Sequence, residues 1–159
     1  MSFIGIIANQ KNEEYIRKKL SAYFPMNNII FITEKNISNI KNVKFETILI
    51  DKAIKSNHDL KNIISNCKYI ILNTDLKNID LSILEDLRLN IITYGFNNKA
   101  TFTISSITEN KIIICLQRII KNIFDDIYEP QEYEVEKYET VDITIIMGIF
   151  CTMVIYGKK

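Results

Sequence analysis

Apolar residues follow two alternating rhythms along this chain. Phe3 to Ala8 (FIGIIA) is a short unbroken apolar run, the pattern of a strand buried on both faces. Asn9 to Asn12 turn the chain, and from Glu13 the spacing changes. Ile16, Leu20, Tyr23 and Phe24 stand at i, i+4, i+7 and i+8, the buried stripe of a helix running to Phe24 and ended by Pro25. Glu13–Arg17 and Glu14–Lys18 are i,i+4 pairs on its wet side. Strand-like runs recur at Asn28–Thr33, Phe45–Ile50, Tyr69–Leu72 and Asn90–Tyr94. The polar stretch up to Lys44 has room for one helical turn near Ile37–Ile40. Leu60, Ile63, Ile64 and Cys67 mark a helix over Asp59–Asn66, and Asp80 can cap a short helix over Leu81–Leu89.

Strand and helix thus alternate as far as Gly95, which predicts a parallel sheet with helices on its faces. Right-handed crossovers then restrict the topology to an α/β, three-layer Rossmann-like sandwich. Beyond Gly95 the pattern changes. Ala100–Ser106 alternates, Thr108–Asn110 turn, and Lys111–Gln117 returns as an apolar strand, which makes a hairpin. Arg118–Ile127 has no single reading, and Asp125-Asp126 with Pro130 mark a loop. Gln131–Glu139 (QEYEVEKYE) alternates acidic and apolar positions, as a further strand would.

Thr140–Gly157 is almost wholly apolar. Its small residues Thr144, Gly148, Cys151 and Thr152 form one helical stripe. This predicts a helix with Thr140 as N-cap, Asp142 at the positive end of the dipole and Gly157 as C-cap. A pair of buried strands is the alternative, because Ile and Val are plentiful. No linker or repeat divides the chain, so residues 1–159 read as one domain: a mostly parallel sheet, extended by antiparallel strands and closed by an apolar C-terminal helix.

Composition narrows the function. Of 159 residues, 47% are hydrophobic and 25% charged, ordinary for a globular domain with a real core. A formal net charge of +1 gives no broad field for nucleic acid, so no nucleic-acid partner is expected. The first residues, MSFIGIIANQ, lack a basic region and a long apolar run, which points to the cytoplasm. Cys67, Cys115 and Cys151 sit apart in apolar runs and read as reduced core thiols, and His58 reads as a solvated residue at a helix entrance. With no metal-ligand spacing, neither zinc nor a disulfide framework is expected.

Glycine occurs only at positions 5, 95, 148 and 157, which excludes both GxGxxG and GxxxxGK[ST]. The residues therefore imply no cofactor and single out no catalytic group. Ile143–Gly157 is uncharged but about 15 residues long, short of the roughly 20 that span a bilayer. Thr140–Gly157 can pack on the sheet, form a homodimer, or touch a membrane as a tail anchor.

In open α/β sheets, ligands bind outside the carboxyl ends of the strands. The groups expected there are Asn9, Gln10, Lys11, Asp51, Asn73, Asp75, Tyr94, Asn97, Asn98 and Lys99. They are polar and suited to binding rather than acid–base work. Asp51, Asp75 and Asp80 follow strand ends, where a metal or amine could meet them, although caps and turns use aspartate as often.

The run Thr93-Tyr94-Gly95-Phe96-Asn97-Asn98-Lys99-Ala100, followed by a hairpin, resembles the late strand of the central domain of Mur ligases, the UDP-N-acetylmuramate–alanine ligase type in particular. Leu72-Asn73-Thr74-Asp75 is similar to the acidic element upstream of it in that family. The resemblance is strongest over Tyr69–Ser106. It implies a role in cell-wall precursor synthesis and a nucleotide or UDP-linked ligand. It also sets Ala8-Asn9-Gln10-Lys11-Asn12 against the family's T-N-G-K-T loop, with Lys11 in place of the phosphate-binding lysine. Gln10 replaces the glycine and Asn12 the metal-binding hydroxyl, departures that count against ATP use. The expectation is a non-catalytic, Mur-ligase-like protein that binds a ligand or partner. The alternatives are an enzyme with an altered phosphate loop and a scaffold acting through its terminal helix.

Overall fold

The computed structural model describes residues 2–55, 57–77, 84 and 90–158. Strands β1 (Phe3–Ile7), β2 (Ile29–Phe31), β3 (Phe45–Ile50), β4 (Tyr69–Asn73) and β5 (Asn90–Tyr94) are mutually parallel. β6 (Phe102–Ile107) and β7 (Lys111–Leu116) form the expected hairpin. β8 (Ile120–Lys121) and β9 (Ile127–Tyr128) make a separate two-stranded ribbon, and β10 (Gln131–Glu136) returns to pair with β7. The resulting eight-stranded sheet has the order β10-β7-β6-β5-β4-β3-β1-β2.

Strand side chains alternate between two faces, and each face has its own core. Ile4, Ile6, Leu49, Ile71 and Tyr94 pack beneath α1 (Glu13–Ser21) and α3 (Ile143–Ile155). Ile7, Ile48, Ile50, Ile70 and Leu72 pack beneath α2 (His58–Ser65). The chain is therefore a three-layer α/β sandwich of the Rossmann-like kind.

Each helix has a local cause. In α2 the side chain of Asn57, not His58, caps the first turn by accepting the Leu60 N–H at 2.8 Å, and Leu60, Ile63 and Ile64 are buried. In α1 the Glu13–Arg17 pair closes at 2.9 Å, and Ile16 and Leu20 form the buried stripe. That helix stops at Ser21 rather than Phe24, so Tyr23, expected on the buried face, is 46% exposed. Phe24 still donates its N–H to Leu20 O and packs edge-on against Tyr156. Between β2 and β3 the chain makes turns, with no helix at Ile37–Ile40. The helix expected over Leu81–Leu89 with its cap Asp80 lies outside the described residues, Leu84 excepted.

Within Thr140–Gly157 the chain forms a helix over Ile143–Ile155, not strands. A helix satisfies its own backbone and can cross an apolar sheet face, whereas strands would need an edge to pair with. Ten of the 13 residues of α3 are buried. The N-cap position falls at Asp142 rather than Thr140, and its side chain makes no capping bond because the carboxylate turns away to Lys11 and Asn12. At the other end Gly157 has φ +70°, its N–H reaches Val154 O, and the Lys158 N–H reaches Met153 O. That pair of bonds is the Schellman motif, which a left-handed glycine permits. The Tyr156 hydroxyl donates to Glu46 and bonds the buried Thr47 hydroxyl at the start of β3. No helix among the described residues is long and apolar enough to cross a membrane.

Candidate functional site

The order β2-β1-β3-β4-β5 reverses direction between β1 and β3. In doubly wound sheets the ligand crevice lies outside the carboxyl ends of the strands at such a switch point. Here those ends lead into Ala8–Asn12 and Asp51. Because α3 runs antiparallel to β3, its first turn arrives at the same place.

That turn is tied to both sides of the crevice. The Asp142 carboxylate pairs with the Lys11 ammonium at 2.8 Å and accepts from Asn12 Nδ2 at 3.1 Å. These two contacts, Lys11 first, hold the Asp142 carboxyl below its ordinary range. The Thr144 hydroxyl reaches Asp51 Oδ2 at 3.5 Å. Asp51 itself is buried. Its Oδ1 accepts from the Tyr94 hydroxyl at 2.6 Å and from Asn73 Nδ2 at 3.2 Å. Burial dominates its ionisation, with the Asp142 charge adding to it, and the pKa is pushed up from 3.8 to about 6 despite those hydrogen bonds. Burial and the Asp51 carboxylate together hold the Tyr94 phenol protonated.

A second group braces the loop after β5. The Asp75 carboxylate accepts the Phe96 N–H at 2.6 Å and the Asn97 N–H at 3.3 Å. Asn97 Nδ2 donates to Thr74 Oγ1 at 2.7 Å, and the Lys99 N–H donates to Asn97 Oδ1 at 2.9 Å. Gly95 has φ +153°, and a Cβ there would fall 2.7 Å from Asp75 Oδ2. Asn73 links the two groups, since its Oδ1 accepts the Asp75 N–H at 2.9 Å. Replacing Asp75 with alanine should cost about 2 kcal/mol, because two N–H groups lose a charged acceptor. Hydrogen exchange of the Phe96 and Asn97 amides reads the effect, and unchanged protection would show that the loop holds itself.

The expected site residues therefore divide. Asn9 and Lys99 are exposed on loops, and Gln10 is exposed at the start of a 3-10 turn over Gln10–Asn12. Lys11 lines a groove of about 380 Å³ bounded by Glu14, Lys18, Lys19 and Tyr138. Asn73, Asp75, Tyr94 and Asn97 are engaged in holding the sheet edge together. Asp142 and Thr144 join the site only in the folded chain, because nothing along the sequence indicates which strand ends the terminal helix will meet. Cys67 and Cys151 are buried, which pushes the Cys67 thiol up to about 12 and Cys151 well above its ordinary value, as for inert core thiols. Among the described residues no cluster of His, Cys, Asp and Glu stands where it could hold a metal ion.

No protein-family model matches the chain, and no curated protein matches it. Among solved structures, the apo-structure of D-lactate dehydrogenase from Escherichia coli is similar over 58% of this chain and 30% of that one, at 20% identity and a TM-score of 0.38. The chain thus covers less than a third of that enzyme, and a likeness of this degree carries no functional reading.

Proposed function

We propose that this chain is a non-catalytic partner-binding protein on a Mur-ligase-like α/β frame, regulatory in cytoplasmic cell-wall precursor metabolism. The observation that carries the reading is the occupation of the β1/β3 crevice by the chain's own α3. Lys11, which the resemblance sets against the phosphate-binding lysine, is engaged by Asp142, and Asp51 is engaged by Tyr94, Asn73 and Thr144. The setting in cell-wall metabolism rests on the resemblance of Thr93–Ala100 and Leu72–Asp75.

One observation favours the alternative, a nucleotide-dependent enzyme with an altered loop. The Lys11 and Asp142 side chains are 62% and 36% exposed, so their pair is worth at most about 1 kcal/mol and a strong anion could displace the carboxylate. Thermal unfolding with ATP–Mg and with UDP-sugars separates the two. The expected result is no stabilisation by ATP–Mg. A shift in Tm that disappears in Lys11→Ala would overturn the proposal in favour of the enzyme.

A further inference from the structure

An open strand edge lies within the sheet, away from the carboxyl-edge cluster. The Asn90 N–H bonds Lys68 O, and Tyr94 O accepts the Thr74 N–H, so these residues of β5 face β4. Backbone direction alternates along a strand, so Ile91 and Thr93 face the other way, toward β6. Yet β6 meets β5 only at Tyr94↔Phe102. The Asp75 brace folds the chain after Tyr94 so that β6 starts level with the end of β5 and runs on beyond it. β7 returns only as far as Leu116, opposite Phe102, and Arg118–Lys121 then passes β5 without pairing. Among the described residues no cross-strand hydrogen bond reaches Ile91 from that side.

The gap left beside Asn90–Ile92 is a cavity of about 570 Å³. Four residues of extended chain would span about 13 Å along it. Ile91 is 37% and Ile119 64% exposed at its wall. Lys68, Arg118 and Lys121 line it, against one carboxylate, Asp125. None of the three cations is in an ion pair among the described residues, although Arg118 donates to Lys99 O at 2.6 Å and the Lys68 ammonium lies 5.8 Å from the Tyr69 ring centre. An unpaired backbone edge, apolar side chains beside it and an excess of positive charge ask for one kind of occupant.

We propose that this notch is a docking site for an extended segment of a partner protein in which acidic residues alternate with apolar ones. The segment adds a strand to β5 through the N–H and C=O of Ile91. Its apolar side chains cover Ile91 and Ile119, and its carboxylates meet Lys68, Arg118 and Lys121. Main-chain pairing supplies affinity for any extended chain, and the cations select an acidic one. This inference names the surface and partner class for the partner-binding reading above and rests on it.

The test uses the full chain and two short synthetic peptides of equal composition, one alternating Glu and Val and one with the same residues in two blocks. The alternating peptide is expected to bind and to shift the Ile91 amide resonance. Lys68→Glu with Lys121→Glu, both exposed positions outside the core, should weaken it roughly tenfold while leaving Tm unchanged. A peptide alternating Lys and Val should show the reverse preference. Equal binding of the alternating and block peptides, an unmoved Ile91 amide, or an unchanged affinity in the double variant would each overturn the proposal. So would absence of binding. Any of these outcomes without ATP–Mg stabilisation removes the notch and leaves the non-catalytic reading standing. Stabilisation and turnover with ATP–Mg would remove that reading even if the peptide docks.

Discussion

Replacing Asp51 with asparagine is expected to stabilise this protein at pH 7 by about 2 kcal/mol. In the folded chain the Asp51 pKa lies at about 6 against 3.8 for the free group. Two decades in proton affinity correspond to about 3 kcal/mol. The sign follows from linkage. The folded state holds the proton more tightly than the unfolded chain, so the stabilising contribution is fully present below pH 4. It is lost as pH rises through about 6. At neutral pH the buried charge is a net burden. Asparagine removes it and keeps the contacts. Its Oδ1 can still accept from Tyr94 and Asn73, and its Nδ2 faces the Thr144 hydroxyl, where Oδ2 now stands. The Tm of a chain this size should rise by about 5 °C at pH 7. Between pH 4 and 6 the variant should also lose the part of the stability–pH slope that Asp51 supplies. Urea unfolding of both proteins at pH 4.5 and pH 7 measures this, and a variant less stable at both values would mean that the carboxylate is worth more than its burial costs.

Gly148→Ala is expected to destabilise by about 2 kcal/mol, although the same change in an exposed helix interior gains about 1 kcal/mol. Gly148 lies in the middle of α3 where the helix crosses β5. A Cβ there would stand 2.7 Å from Tyr94 Oη and 2.9 Å from both Tyr94 Cζ and Leu49 Cδ1. Tyr94 cannot swing aside, since its ring is fully buried and its hydroxyl is held at 2.6 Å by Asp51. The backbone of α3 must lift instead, which loosens the Thr144 contact as well. Gly148→Val, with two more methyl groups in the same space, should leave little folded protein. In a Tyr94→Phe background the nearest atom is gone, so the alanine penalty should shrink by about 1 kcal/mol, a coupling that a double-mutant cycle reads directly. Equal penalties in both backgrounds would place the strain elsewhere.

The two expectations concern one cluster, and they bear on function. Asp51, Tyr94, Asn73 and Thr144 occupy the position where sheets of this topology open a ligand crevice. A carboxylate that costs stability at that position is held by groups already satisfied within the chain. In the proposed reading binding lies elsewhere on the surface, where the open edge of β5 offers the Ile91 backbone groups and the cations Lys68, Arg118 and Lys121.

Periodicity along the chain was enough to place β1, β3, β4, β5, the β6–β7 hairpin and α2 to within a residue or two, because each buries a stripe that its own spacing reveals. It also favoured one apolar helix over a pair of strands for α3, with Gly157 closing its end, one residue beyond the C-cap Tyr156. The end of α1 was misplaced, since Tyr23 and Phe24 continue the apolar stripe while the chain leaves the helix at Ser21. Among the site residues, Asp75 and the pair Gly95 and Asn97 stand in two separate elements along the chain, and only the folded loop shows that the carboxylate is spent on the Phe96 and Asn97 amides.

Local spacing governs which segments bury which faces, and that much was legible in one dimension. Where α3 lands was not, because an apolar helix carries no address: any stretch of apolar sheet would cover it. The landing follows from contacts distant in sequence, Gly148 against Tyr94, Asp142 against Lys11 and Tyr156 against Thr47. Those contacts turn a row of candidate ligands into a closed edge. The gap beside β5 has the same origin, since the stagger of β6 depends on how the loop after Tyr94 folds back onto Asp75.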